Sequence, residues 1–276
     1  MKQSKLTKVS LSVVLLGCLA SCQPKASTSQ VTAGISMTAT SKAATVAANK
    51  NIWSVLLPQA NAFLSPSMVD STGVGLNLTS AWVCIKEIEF KSTELPGAGE
   101  VDGSEISFRG PYYVDLLSST PAALDAQRIA AASYQRIKMK LHSSGGVVPS
   151  GAPSQLSSNS IYLVGVVGAR NFTFQLDDST EINIGGANPV LPVDGGSLLI
   201  EINLANVFKQ INLATVTNNE LISASARHAG TNLCIAIDPS ASDIYTCIRK
   251  GLEKHANFGK DSDGNGDLGA SESKVK

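Results

Sequence analysis

Aromatic residues are scarce in this chain of 276 residues, since Phe, Trp and Tyr together make up 5%. That scarcity weakens any case for an aromatic sugar-binding platform. Reaction motifs are missing too: there is no GxSxG nucleophile elbow, no phosphate-binding GxxxxGK[ST], no HExxH and no pair of CxxC motifs. The chain has three histidines, His142, His228 and His255, and none lies in a recognisable nucleophile context. The sequence therefore predicts no catalytic residue and a protein that is not an enzyme.

Apolar runs long enough to span a membrane are also missing. The run from Leu11 to Ala20 is too short for a bilayer, and no later segment approaches eighteen consecutive apolar residues. Because Lys2, Lys5 and Lys8 precede that run, it has the charged and hydrophobic regions of a secretory signal. Residues 1–21 are therefore predicted to be a signal peptide.

A cysteine follows this signal directly. The residues Leu19 to Cys22 resemble a bacterial lipobox, in which the cysteine is acylated and becomes the first residue of the mature protein. Leu15 to Cys18 fits more loosely, and an ordinary cleaved signal is the plainer alternative. Acyl chains on Cys22 would anchor the chain without a transmembrane helix. Gln23, in place of the Asp that retains inner-membrane lipoproteins, predicts the outer membrane of the bacterial envelope.

The balance of charge bears on the partners. The whole chain carries 22 basic and 22 acidic residues, and removal of the three signal lysines leaves 19 and 22, a net charge of −3. This argues against nucleic acid as a partner. The predicted partners are the membrane, through Cys22, and an unidentified envelope protein or glycan. Residues 22–50 are rich in Ser, Thr, Ala, Lys and Gln, which predicts a disordered tether.

Residues 51–240 are predicted to form an antiparallel β-sandwich, because short runs of Val, Ile, Tyr and Phe alternate with Gly, Pro, Ser and Asn clusters. In the run from Trp82 to Phe90, simple alternation places Val83 and Ile85 on one face. It places Trp82, Cys84, Ile88 and Phe90 on the other. Eight strands are predicted: Gly75–Leu78, Trp82–Phe90, Ile106–Leu117, Tyr134–His142, Ile161–Val167, Asn171–Leu176, Glu181–Ile184 and Ser197–Leu204.

Helical segments are predicted after the strands. Residues 205–212 and 219–226 suit short helical turns, and residues 242–258 suit a longer helix that docks on the sandwich and ends at Gly259. Ser240 and Asp243 have the spacing of a capping box. His255 lies on the apolar face of this helix, where a packed histidine is expected rather than a ligand.

The twelve residues DSDGNGDLGASE, 261–272, have the spacing of a calcium loop and form the candidate site. Calcium takes six to eight oxygen ligands, and such loops supply them from positions 1, 3, 5, 7 and 12 around a glycine at position 6. Leu268 at position 8 is expected to pack against the protein body. The candidate ligands are Asp261, Asp263, Asn265, the backbone carbonyl of Asp267, and Glu272.

A solvated acidic tail is the simpler interpretation of the same residues. Only four residues, 273–276, follow the loop, so the second helix of a complete EF-hand is missing. Residues 241–276 are accordingly predicted to be one helix plus an isolated EF-hand-like loop, with a dissociation constant near ~10⁻⁴ to 10⁻³ M.

Three cysteines lie beyond the amino terminus. Cys234 and Cys247 could form a disulfide in an oxidising envelope, tying a strand to the last helix, or could remain small buried side chains. A zinc site joining them to His228 or His255 has no short paired ligand spacing to support it. The state of Cys84 is left open.

Several segments together resemble an uncharacterised family of bacterial lipoproteins with a prealbumin-like β-sandwich. The resemblance rests on AWVCIKEIEF (81–90), YYVDLL (112–117), SYQRIKMKL (133–141), FTFQLDDSTEINI (172–184) and LLIEINLANVF (198–208). A closing helix followed by an acidic DxDGxxD-like tail is also familiar there. The resemblance implies a fold and an envelope address, and it implies no catalytic residue.

These features predict a non-enzymatic, lipid-anchored envelope protein that binds or scaffolds a partner. One alternative is an envelope hydrolase that uses the acidic cluster of Asp177, Asp178 and Glu181, although a polar hairpin turn explains this cluster more simply. The other alternative is a purely structural envelope spacer.

Overall fold

The computed structural model describes residues 29–41, 68–92, 105–177, 179–234 and 236–276. The predicted signal peptide and Cys22 lie outside these ranges. Within them the elements, in chain order, are β1 Gln30–Thr40, β2 Met68–Val69, β3 Gly75–Ser92, β4 Glu105–Asp115, β5 Ala122–Ala130, β6 Tyr134–Leu141, β7 Ile161–Val167, β8 Arg170–Leu176, β9 Thr180–Val190, β10 Gly196–Asn203, α1 Leu204–Phe208, β11 Glu220–Ile222, α2 Ile244–Lys254 and β12 Ala256–Asp261.

The strands form two sheets in a sandwich-like arrangement, so the prediction of a mainly β sandwich is confirmed. The smaller sheet has the order β12-β10-β1-β5. The larger has the order β11-β8-β7-β3-β6-β9, with β2 and β4 also paired to β3. Most pairs are antiparallel, but β1 with β10 and β11 with β8 are parallel, which the prediction of a wholly antiparallel sandwich missed.

Strand β1 lies inside the range predicted to be a tether, and for these residues that prediction is wrong. It is an inner strand of the smaller sheet, where Ala33, Ile35 and Met37 enter the core at 2% exposure or less. The segment has few large apolar residues, yet every second residue is apolar. Because a strand needs only one apolar face, this alternation is enough when two neighbouring strands supply the hydrogen bonds.

A bulge in β3 changes which of its residues face the core. The pairings of β3 with β4 and with β6 both shift between Ile85 and Glu87. The extra residue moves Ile88 and Phe90 onto the core side with Val83 and Ile85. The predicted division of this strand into two faces is therefore wrong beyond Ile85.

The structure also revises the predicted helices. Residues 219–226 contain the short strand β11 instead of the predicted helical turn. Helix α1 overlaps the other predicted turn, residues 205–212, and begins one residue earlier. Helix α2 ends at Lys254, before the predicted end at residue 258. Gly259, which was predicted to terminate the helix, belongs to β12 and pairs with Leu199 of β10. Asp243 is the cap of α2, and its carboxylate accepts a hydrogen bond from the backbone N–H of Thr246 at 2.6 Å. No helix in the described ranges is long and apolar enough to cross a membrane.

One core joins the two sheets, and Phe90 lies near its centre. Its ring makes edge-on contacts with Phe108 and Tyr134, which belong to the same large sheet, at centroid distances of 5.4 and 5.9 Å. A third edge-on contact, at 5.2 Å, reaches Phe258 of β12 in the small sheet. These rings therefore fix β12, and the residues that follow it, to the larger sheet.

Cys234 and Cys247 form a disulfide, and within the part of the chain that the structure describes Cys84 is a free, buried thiol. Cys247 lies in the first turns of α2. Cys234 lies in an irregular segment, and the bond therefore ties a loop to the helix rather than a strand. Because both sulfurs are used in this bond, they are unavailable to the zinc site considered from the sequence.

We expect the Cys234→Ala/Cys247→Ala double variant to be about 3 kcal/mol less stable than the parent, because the bond closes a loop of twelve intervening residues. Urea unfolding with and without dithiothreitol measures this difference. The reductant should lower the midpoint of the parent and leave that of the double variant unchanged. Equal sensitivity of both proteins to the reductant would contradict the disulfide between Cys234 and Cys247.

Candidate metal centre

The acidic loop, residues 261–272, connects β12 to the carboxy-terminal tail, residues 273–276. The tail returns along the free edge of β12: the Lys260 N–H donates to the Ser273 carbonyl at 2.8 Å, and the Val275 N–H donates to the Phe258 carbonyl at 2.9 Å. The predicted arrangement, in which the last helix leads straight into the loop, is therefore wrong. A strand lies on one side of the loop and the paired tail on the other, and together they close it.

Three of the five predicted ligand residues converge. Asp261, Asp263 and Glu272 each offer a carboxylate oxygen, and the three oxygens lie within 4.8 Å of one another. Three carboxylates at this distance repel one another unless a cation lies between them. This cluster could hold a metal ion.

Backbone N–H groups of the loop orient two of these carboxylates. Asp261 accepts hydrogen bonds from the N–H groups of Gly264 at 2.7 Å and Gly266 at 3.1 Å. Glu272 accepts from Ser262 at 2.5 Å and from Gly269 at 2.7 Å. The first and last residues of the loop are thus held in place by the loop itself.

The side chains of the other two predicted ligands have different partners. The Asn265 amide donates to Asp263 at 3.0 Å, and its oxygen accepts from the Asp267 N–H at 2.8 Å. The carboxylate of Asp267 does not belong to the converging group. The expected role of Asp267, which is to offer its backbone carbonyl, stays a prediction.

The acidic loop lies across the outer face of the small sheet. Leu268, which is 6% exposed, packs over Gly259 of β12, where an added Cβ would be 2.9 Å from the leucine Cδ2. The loop also reaches Pro121, directly before β5. At Gly266, whose φ is +82°, a Cβ would lie 2.7 Å from that proline ring. The expected packing of Leu268 against the protein body is confirmed.

Glu201 of β10 lies beneath this loop, and the sequence analysis missed it. Its carboxylate accepts hydrogen bonds from the Thr40 hydroxyl at 2.9 Å and from the Leu268 N–H. Burial raises the pKa of Glu201, and the charge of Asp267 acts in the same direction, while these hydrogen bonds and Lys274 oppose the shift. The signal in the sequence is one acidic residue inside the otherwise apolar strand LLIEI.

Lysines of the chain end offset part of the negative charge. Lys274 donates to the Leu268 and Gly269 carbonyls, both at 3.0 Å. Lys276 donates to the Ala256 carbonyl at 2.9 Å and to two carbonyls at the end of α2. Cations suit a helix carboxyl terminus, so Lys276 fastens the tail to α2.

The alternative acidic cluster is only partly described. Asp177 is exposed at the end of β8, and Asp178 lies outside the described residues. Glu181 forms an ion pair with Lys138 at 2.8 Å. This paired carboxylate provides no evidence for a facing acid and base.

His255 also differs in detail from its prediction. It caps the end of α2 and is partly buried, and its Nε2 has no hydrogen-bond partner among the described residues. Burial lowers the pKa of His255, with further lowering from the charges of Lys254 and Lys276. His255 thus follows the last helical residue of α2 and is partly buried, rather than lying on the apolar face of the helix.

Comparison of the chain with protein-family models, curated proteins and solved structures returned no match. The resemblance to a lipoprotein family therefore stays a prediction from the sequence.

We expect Glu201→Gln to stabilise the fold at pH 7 and to have no effect at acidic pH. Because the folded-state pKa of Glu201 is raised, the protonated form stabilises the fold, and this contribution is lost as the pH rises through the raised value. Glutamine keeps the acceptor for Thr40 and Leu268 without the buried charge. Urea unfolding at pH 4 and pH 7, without added metal, measures the difference.

Glu181→Gln is the matched control, because it removes the same charge at a side chain that is 48% exposed on the other sheet. This control should give no stabilisation at pH 7. A Glu201→Gln variant that is less stable than the parent at pH 7 would show that the carboxylate is needed in its charged form.

Proposed function

We propose that the protein is a lipid-anchored component of the bacterial cell envelope that binds or scaffolds a partner, and that its acidic loop holds calcium. The observation that carries the calcium assignment is the convergence of the Asp261, Asp263 and Glu272 carboxylates. The function needs no catalytic step.

The donor set favours calcium among the metal ions. All three converging ligand groups are hard carboxylate oxygens, which suit calcium, magnesium and manganese rather than zinc or copper. In the proposed site, the backbone carbonyl of Asp267 and the side-chain oxygen of Asn265, which here accepts from the Asp267 N–H, would supply further oxygen donors. Magnesium demands near-ideal octahedral geometry, whereas calcium accepts the irregular, larger coordination sphere that such a loop offers.

The contacts around the loop support a structural role for the ion. Binding between Asp261 and Glu272 would join the end of β12 to the start of the tail. The tail in turn packs Val275, 1% exposed, into the core and passes directly over Gly186 of β9, where an added Cβ would lie 1.6 Å from the Val275 carbonyl. The ion would thereby stabilise the docking of the tail on both β12 and β9.

Two features support an envelope location. The lipobox-like residues before Cys22 supply the anchor, and the disulfide between Cys234 and Cys247 suits an oxidising compartment.

An open pocket of about 290 Å³ on the outer face of the large sheet is the binding surface that we propose for the partner. Its polar lining combines both signs of charge with an amide, so it suits a hydroxyl-rich glycan or a polar protein surface. The polar residues of this lining are Lys91, Arg136, Lys138, Glu181 and Asn183.

Calcium titration of residues 23–276 should give one saturable site with a dissociation constant of about 10⁻⁴ to 10⁻³ M, measured by calorimetry. At a free calcium concentration one hundred times this dissociation constant, calcium should stabilise the fold by about 2.7 kcal/mol, which is visible as a rise in melting temperature. Asp261→Ala and Glu272→Ala should each abolish both effects, because each removes a converging carboxylate.

Asp267→Ala is the matched control, since it removes the same charge from the same loop but keeps the backbone carbonyl. It should bind calcium with nearly the affinity of the parent. An absence of binding heat at several millimolar calcium would contradict the calcium site. An equal loss of calcium binding in all three variants would also contradict it, and the loop would then be a solvated acidic turn.

Cys22→Ala in the full chain should move the protein from the detergent phase to the aqueous phase in Triton X-114 partitioning. It should also abolish metabolic labelling with palmitate, because the acylated residue is lost. Cys18→Ala is the control and should keep both properties. Labelling that depends on Cys18, or no labelling of the parent, would refute anchoring at Cys22.

A further inference from the structure

Three side chains form a hydrogen-bonded row at the β11 edge of the large sheet, far along the chain from the acidic loop. We call this row, Thr215, His228 and Glu220, the relay. His228 Nε2 lies 3.0 Å from the Thr215 hydroxyl, and His228 Nδ1 is hydrogen-bonded to a carboxylate oxygen of Glu220. Thr215 precedes β11, Glu220 is its first residue, and His228 follows it.

The hydrogen bonds of Glu220 fix the tautomer of His228. Thr217 donates to the second oxygen of Glu220 through its N–H at 2.6 Å and its hydroxyl at 2.9 Å. The first oxygen therefore faces the imidazole, and a carboxylate there requires a proton on Nδ1. In the neutral ring Nε2 is then an acceptor, so the Thr215 hydroxyl donates to it.

The three side chains of the relay differ in their exposure to solvent. The side chains of His228 and Glu220 are 14% and 18% exposed, whereas Thr215 is exposed to solvent. The backbone of His228 has a φ of +53°, a conformation that few residues other than glycine adopt. The chain thus holds the imidazole in an uncommon backbone conformation, sheltered between a fixed carboxylate and an open hydroxyl.

We propose that Thr215 is a nucleophile activated by His228, with Glu220 as the positioning residue, and that the relay acts on carboxylic esters. The arrangement satisfies the general signature of such sites, in which a base reaches the nucleophile and a third group orients the base. This activity goes beyond the proposed binding function, and neither depends on the other.

The chemical step balances with water as its co-reactant. The Thr215 oxygen forms a bond to the ester carbonyl carbon while its proton passes to His228 Nε2. The tetrahedral intermediate then collapses, the bond to the alcohol oxygen breaks, and the proton from Nε2 leaves with the alcohol. Water, deprotonated by the same Nε2, releases the carboxylic acid and restores the Thr215 hydroxyl.

Two arginines make contacts at residues that adjoin the relay in the chain. The Arg170 guanidinium donates to the carbonyl of Ala214, the residue directly before Thr215. Arg227, directly before His228, stacks over the Tyr245 ring at 4.7 Å and lies 3.8 Å from Asp243.

An alkyl fluorophosphonate tests the nucleophile on the intact chain, since it forms an oxygen–phosphorus bond with an activated hydroxyl and releases fluoride. Peptide mass spectrometry should locate the adduct on Thr215. Thr215→Ser should remain labelled and Thr215→Ala should not. Thr120, an exposed threonine outside the relay, is the internal control and should stay unmodified.

The rate of labelling tests the base and its partner. His228→Ala should lower the rate constant by about 100-fold or more, and added imidazole should restore part of it, which loss of a purely structural residue would not permit. Glu220→Gln should also lower the rate, and Glu220→Asp should recover part of the loss. Thermal melts establish that each variant is folded.

Hydrolysis of p-nitrophenyl acetate gives an independent readout and should follow the same order among the variants. A folded parent whose Thr215 is not labelled would overturn the proposal. So would labelling of Thr215 at the same rate in a folded His228→Ala variant.

Discussion

The contact between Phe90 and Phe258 is the interaction on which the rest of the structure depends. The two rings come from different sheets, meet edge-on at 5.2 Å and are almost fully buried. This contact fixes β12, which has β10 on one side and the tail on the other. Because β12 ends at Asp261, the same strand that completes the core also delivers the first carboxylate of the acidic loop.

Pairing at both ends positions the acidic loop, because β12 precedes it and residues 273–276 pair with β12 after it. Its middle crosses the outer face of the small sheet, from Gly259 of β12 past Glu201 of β10 to Pro121 beside β5. Its three converging carboxylates repel one another, and Lys274 offsets part of this charge. An ion bound there would act on the closure of the tail as well as on the loop.

Strands with strong alternation could be predicted closely from the sequence: the structure has β7 at the predicted bounds, and β6 and β8 within one residue. The misses share a physical cause, since each depended on partners that a local pattern does not reveal. Strand β1 has small side chains and becomes a strand because β5 and β10 flank it. The bulge after Ile85 depends on the register of two neighbouring strands.

The spacing of residues 261–272 by itself determined which side chains could bind a metal, because ligand positions in a short loop follow chain order. The sequence also put forward Cys234 and Cys247 as a possible pair, and the structure decided that they are bonded. Only the tertiary structure decided that Asp263 converges with Asp261 and Glu272 while Asn265 turns toward backbone and side-chain partners. It alone brought His228 to Thr215 and Glu220, because the chain turns back after β11 and a hydrogen bond between side chains depends on distance in space rather than on a fixed spacing in the sequence.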